Sequence, residues 1–134
     1  MADFSLVPES IPGLDMTRPT NSDLSSLQYY AVKLDSSEEV VQSTANDKSL
    51  GILQNAPNGS SAEALATVRV GGLSKAKIAE AVTFGQFLTP TANGDLEVCD
   101  AAGEEYIAKA LSSGDAADLI TVLVCHGEVE ASDA

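Results

Sequence analysis

FLTPTANGDLEVCDAAG, residues Phe87 to Gly103, sets Asn93-Gly94 between two short apolar runs, Phe87-Leu88 and Leu96-Val98. Asn-Gly supplies the positive φ angles of a tight turn, and flanked in this way it is a strong hairpin signal. The stretch holds no histidine and no pair of ligands at a metal spacing. The best-specified element of the chain therefore carries structure rather than chemistry.

The strand pattern extends outward from this hairpin. LATVRVGG (Leu65–Gly72) places Ala66, Val68 and Val70 on one face and Thr67 and Arg69 on the other, the period of two of a half-buried strand. LQYYAVKL (Leu27–Leu34), EEVVQS (Glu38–Ser43), SLGILQN (Ser49–Asn55), YIAKALS (Tyr106–Ser112) and LITVLVC (Leu119–Cys125) read as further strands. Strands about 10–15 residues apart, with Gly or Asn at the joints, predict a mostly β fold, a small barrel or sandwich. LSKAKIAEAVTFGQFL (Leu73–Leu88) reads either as a short helix from about Ala79 or as a strand and turn, and Gly85 ends both. The expectation is at most one short helix.

Three regions follow from composition. Residues 1–27 hold three of the five prolines (Pro8, Pro12 and Pro19), with Phe4, Leu6, Val7, Ile11, Leu14 and Met16 scattered among small polar residues. Proline excludes a helix or a central strand. The segment reads as an extended arm that orders against its own barrel or a neighbouring subunit, and the barrel is expected to close without it. Residues 28–126 form the β-barrel-like domain, and residues 127–134 an acidic mobile tail.

Charge and composition exclude several function classes. The net charge is −13, which repels phosphate backbones and argues against direct nucleic-acid binding. No run of eighteen apolar residues occurs, so no helix is expected to cross a membrane, and MADFSLVPES is unlike a secretory signal. Folding in a cytoplasm is the expectation. The charge is uneven. From Asp95 onward ten acidic residues accompany one Lys, Lys109, whereas Lys48, Arg69, Lys75 and Lys77 share their segment with Glu63 alone. The uneven charge reads either as a solvated acidic surface that keeps the protein soluble or as a central segment that faces an acidic partner, for which Arg69, Lys75 and Lys77 are the candidates.

Reactive side chains are scarce. His126 is the single histidine, and it follows Cys125 directly. Adjacent residues on a strand point to opposite faces, which sets this pair badly for Cys-His nucleophilic chemistry. Cys99 and Cys125 make no CxxC pair and are expected to be reduced, buried thiols. The adjacent carboxylates Glu38-Glu39 and Glu104-Glu105 lie beside turns, and VGGLSK (Val70–Lys75) lacks phosphate-loop spacing. The expectation is a protein that is not an enzyme, with no catalytic residue, cofactor or metal. A small ligand- or glycan-binding barrel is disfavoured by the absence of Trp and the few Tyr.

The order of the pieces carries more than any one of them. LGILQNAP, then ATVRVGGLSKAKI, VTFGQFLTPTANGDLEV and EEYIAKALSSGDAADLITVLV resemble the capsid decoration, or head cement, proteins of tailed bacteriophages. The matching positions are Gly51, Val68, Val70, Gly72, Gly85, Leu88, Gly94, Ala108, Ala110, Leu111, Gly114, Asp115, Ile120 and Val122. Ala108 stands where that family often has Gly, and the arm has no counterpart in its pattern. The resemblance implies a β-barrel-like homotrimer on the capsid exterior, assembled in the host cytoplasm. It would bind the major capsid protein and stabilise the shell by bridging subunits. The arm residues Phe4, Leu6, Val7, Ile11, Leu14 and Met16, with Arg69, Lys75 and Lys77, would make the capsid and subunit contacts. A tail or head-tail connector component is the alternative.

Overall fold

A computed structural model describes residues 13–45 and 48–130. Nine antiparallel strands define it: β1 (Leu14–Thr20), β2 (Ala31–Leu34), β3 (Val40–Gln42), β4 (Gly51–Leu53), β5 (Ala64–Lys77), β6 (Phe87–Pro90), β7 (Leu96–Val98), β8 (Glu105–Ala110) and β9 (Leu119–Glu128). The sheet order is β3-β2-β4-β5-β9-β8-β6-β7, with β1 also on β5. The fold is mostly β and barrel-like, and the described residues contain no helix. The ambiguous segment resolves as strand and turn. Leu73–Lys77 completes β5, and the following backbone donors go to distant segments: Ala79 N–H to Leu96 O of β7 (2.7 Å) and Val82 N–H to Gly114 O in the β8–β9 connection (2.9 Å).

The 14-residue β5 is the spine. Residues 64–71 pair with β1 and also carry β4, while Gly72–Lys77 pair with β9. Gly72 has φ +96, in the region that favours glycine. Across Gly71-Gly72 the buried residues change core: Ala66 and Val68 pack with Leu24, Val32, Val40 and Leu53, whereas Ala76 packs with Ile78, Leu88, Leu96, Ile107, Ile120 and Val122. Two small lobes thus share one strand. Each curls toward closure. In the first, Thr20 Oγ1 donates to Val40 O (2.7 Å) and Asn21 Nδ2 to Glu39 Oε2 (2.7 Å), joining β1 to β3. In the second, the Ala79–Leu96 bond and the Ile78–Leu96 bridge join the end of β5 to β7.

β2 and β4 serve both cores. Ala31 and Ile52 face the second core, and their neighbours Val32 and Leu53 face the first. This explains why GIL is buried at every position, since a strand covered on both faces needs no polar side. It also predicts cooperativity. Leu53→Ala and Leu88→Ala, in different cores, should each cost about 2–5 kcal/mol. Both should lower the midpoint of one shared calorimetric transition, and two separated transitions would contradict the shared-strand architecture.

The Asn93-Gly94 hairpin forms, joining β6 to β7, but its turn differs from the one the dipeptide suggests. Gly94 alone has positive φ (+87), while Gly94 N–H donates to Thr91 O and Thr91 N–H to Asp95 O. This is a turn closed by a glycine bulge rather than one with two left-handed residues. Its tip packs against the first lobe. Ala31 N–H donates to Gly94 O (2.8 Å), and a Cβ at Gly94 would lie 3.1 Å from Gln42 Cγ and 3.3 Å from Ala31 O.

The sequence boundary at residue 27 does not coincide with an edge of the sheet. Leu14–Thr20 of the expected arm is β1, in register with Ala64–Gly71 of β5, and Thr20 and Leu24 are fully buried. Pro19 is tolerated because β1 pairs with β5 alone among the described strands, which leaves it at an edge of the described sheet. At the other end, Gly127 and Glu128 of the expected tail belong to β9. The strand read as Leu27–Leu34 starts only at Ala31. Tyr29 takes φ 72 and is held there by Tyr29 N–H to Leu53 O (2.7 Å) and Lys77 N–H to Tyr29 O (3.0 Å).

Candidate interaction face

The inner face of the second lobe is filled by Ala76, Ala108, Ala110, Ile120, Val122 and Val124. Alternation then fixes which side chains point outward. Register aligns them in rows. Leu73 on β5 lies opposite Leu123 on β9, Leu123 opposite Lys109 on β8, and Lys109 opposite Phe87 on β6. The next row holds Lys75, Thr121 and Leu111, whose N–H donates to Thr121 O (2.9 Å). The last holds Lys77 and Leu119. Leu119 is 50% exposed and Leu111 38%, while Leu73, Leu123 and Phe87 are half-buried. No carboxylate stands in these rows. Adjacent strands lie roughly 4.8 Å apart, so the four-strand row spans about 14 Å.

The seven basic residues divide sharply. Arg18 pairs with Glu38 (3.6 Å), Lys48 with Glu105 (3.2 Å) and Arg69 with Asp15 (2.5 Å), and Lys33 also has a partner. Arg69 further donates to Leu73 O, and its hydrogen bond to Asp15 raises its affinity for its proton. Arg69, expected to face a partner, is thus engaged within the chain. Lys75, Lys77 and Lys109 have no carboxylate partner among the described residues, and all three stand on this one face; Lys109 also lies 5.8 Å above the Phe87 ring. Of the arm residues, Leu14 is 68% exposed and Met16 half-buried, both on β1. Phe4, Leu6, Val7 and Ile11 lie outside the described residues.

Sequence reading found Lys75 and Lys77 but not Lys109, Leu111, Leu119 or Leu123. A signal was present in LITVLVC. Its even positions alone fill the core, so Leu119 and Leu123 are apolar residues that the core does not require.

A second feature lies at the far end of this lobe, a hollow of about 340 Å³ lined by Phe87, Cys99, Tyr106, Glu128, Val129 and Glu130. The Phe87 and Tyr106 rings stack at 4.1 Å. Gly127 leaves room for Tyr106, whose hydroxyl would lie 2.3 Å from a Cβ there. Cys99 is buried, as expected, but Cys125 is only half-buried. Burial, with Glu104 close by, pushes the Cys99 thiol from its ordinary 9.0 up to about 12, and burial also raises Cys125. Both stay protonated near neutrality and are poor nucleophiles there. Cys125 should therefore react slowly with a thiol reagent at pH 8, Cys99 more slowly still, and both at once after denaturation; fast reaction of native Cys99 would contradict this. The sign for stability follows. Because the folded-state value is raised, the neutral thiol stabilises the fold below pH 9, and this contribution is lost as pH rises toward 12. Cys99→Ala should flatten that part of the alkaline decline in the urea midpoint.

His126 is exposed at the end of β9, next to half-buried Cys125. Among the described residues no group of three His, Cys, Asp or Glu side chains could hold a metal ion. Glu97 sits among Glu80, Glu104, Asp95 and Asp100, and burial together with these neighbours raises its pKa.

Together these features define a two-cored antiparallel β module with one apolar and cationic outer face. Its fold is similar to that of the N base of head fiber gp8.5 in bacteriophage phi29, known from a crystal structure. The TM-score is 0.67 at 11% identity, and the match covers 87% of this chain and 99% of that one. No protein-family profile matches the sequence, and no curated protein does.

Proposed function

We propose that this protein is a structural component of a tailed-phage virion, carried on the outside of the head and assembled in the host cytoplasm. Its partner is the major capsid protein, and it stabilises the shell by bridging capsid subunits as a homotrimer. It performs no catalysis and needs no cofactor, nucleic acid or membrane. The observation that carries this reading is the fold likeness to a phage head-fiber base over nearly the whole of both chains. The resemblance of Ser49–Val124 to head cement proteins supports the bridging role. The same neighbour favours a second reading, in which this chain is the base of a head appendage.

Heads prepared without this chain separate the two readings. Purified protein should co-sediment with them in many copies and raise the temperature at which they release DNA. Binding at few sites without stabilisation would favour the appendage base. No binding would remove both.

A further inference from the structure

We propose that the outer face of β5, β9 and β8 is the docking surface, and that its partner is an extended, acidic and apolar protein segment of the shell. This rests on the head-protein reading for the partner's source, but the face itself is argued from side chains. A sheet face in water ordinarily carries polar residues, and here Leu73, Leu111, Leu119 and Leu123 take that place. Lys75, Lys77 and Lys109 are set between them, without carboxylate partners among the described residues. Elsewhere basic side chains are matched inside the molecule.

Charge complementarity selects the partner. With a net charge of −13, the protein repels an acidic surface in most orientations. The three-lysine face is the exception, so an acidic shell would both attract the protein and orient it. The rows also dictate the partner's pattern. Lysine and leucine are neighbours across the strands, Lys77 opposite Leu119 and Lys109 opposite Leu123, and Leu73 precedes Lys75 on the same face of β5, where side chains recur every second residue. A segment with carboxylates and aliphatic side chains on the same face would meet both. Burial of the leucines supplies affinity, and the lysines supply register.

Two measurements test this. A synthetic peptide repeating Glu-Ser-Leu-Ser, which sets Glu and Leu in turn on one face of an extended strand, is titrated into the 15N-labelled full chain, and amide shifts are mapped. Shifts confined to Leu73–Lys77, Lys109–Leu111 and Leu119–Leu123 are expected; shifts elsewhere, or none, overturn the proposal. In parallel, Lys75→Glu and Lys48→Glu are bound to heads lacking this chain. Both change the net charge equally, but Lys48 lies outside the face. Lys75→Glu should weaken binding by about tenfold or more at roughly 0.1 M salt, with the difference shrinking at 0.5 M. Lys48→Glu should stay within about twofold. Equal losses would mean general repulsion and overturn the proposal. Self-association abolished by Lys75→Glu would assign the face to a second copy, and face shifts produced by deleting residues 2–12 would assign it to the chain's own N-terminal segment; either overturns it. If wild type takes the peptide on this face but no heads bind, the head-protein reading fails while the face and its partner chemistry stand.

Discussion

A chain lacking residues 2–25 will not form a cooperative domain, whereas one lacking residues 2–12 retains every residue of β1 to β9 and is expected to fold. The longer deletion removes β1, which pairs with β5 from Ala64 to Gly71. It also removes Leu24, 1% exposed in the first core, and the bond from Thr20 Oγ1 to Val40 O that closes that lobe. Losing Leu24 alone compares with a large-to-small core substitution, about 2–5 kcal/mol. Each lost backbone hydrogen bond adds about 0.5–1.5 kcal/mol. The sum rivals the roughly 5–15 kcal/mol that separates a folded domain of this size from its unfolded chain. The exposed edge of β5 would also invite pairing between molecules. Circular dichroism and size-exclusion chromatography on the two truncations decide the matter: a monomeric, cooperatively melting chain without residues 2–25 would show that β1 is dispensable, as the sequence reading expected of an arm.

That expectation arose from proline content, and the reason it misplaced the boundary is physical. Pro8, Pro12 and Pro19 exclude a helix and a central strand, but an edge strand loses nothing when its outward N–H is absent. Nothing local in LDMTRPT indicates that it pairs with a segment some fifty residues away. The period of two in LATVRVGG was legible because alternation is a local property, and Ala66 and Val68 are buried as it implies. The two-core arrangement was not legible. It depends on Gly72 turning β5 and on β4 having both faces covered, and glycine in a sequence says only that a side chain is missing. The Asn93-Gly94 hairpin was legible as a turn but not as the contact that ties the lobes together, because that role depends on where Ala31 and Gln42 come to lie. For the candidate face, charge bias along the chain pointed to Lys75 and Lys77. Lys109 joins them from an acidic stretch only through the pairing of β8 with β9, and Arg69 leaves the set because β1 brings Asp15 to it.

Gly51→Ala is expected to be among the most damaging single-methyl additions available to this protein. Gly51 opens β4 between β2 and β5, opposite Val32, and is buried. A Cβ there would lie 2.0 Å from the carbonyl oxygen of Arg69, 2.9 Å from its carbonyl carbon and 3.1 Å from Val68 Cγ1. The first two are backbone atoms of the spine strand, so no rotamer change relieves the clash. β4 must move away from β5. That movement would disturb the Ile52–Arg69 and Leu53–Val68 pairs, which place one residue in each core. Overpacking of a rigid site costs about 1–3 kcal/mol, and disruption of the adjoining pairs takes the total to about 3–5 kcal/mol. At this chain length that lowers the melting temperature by roughly 10 °C or more. Gly85→Ala isolates the other effect a glycine can have. Gly85 has φ +95, but nothing lies within 4 Å of a Cβ built on it. Alanine there meets backbone strain alone, about 1–2 kcal/mol. Melting curves of the two variants should therefore separate clearly, with Gly51→Ala much the lower. If they coincide, β4 can shift off the Arg69 carbonyl at little cost, and the close packing of β4 on the spine is not what holds the two lobes together.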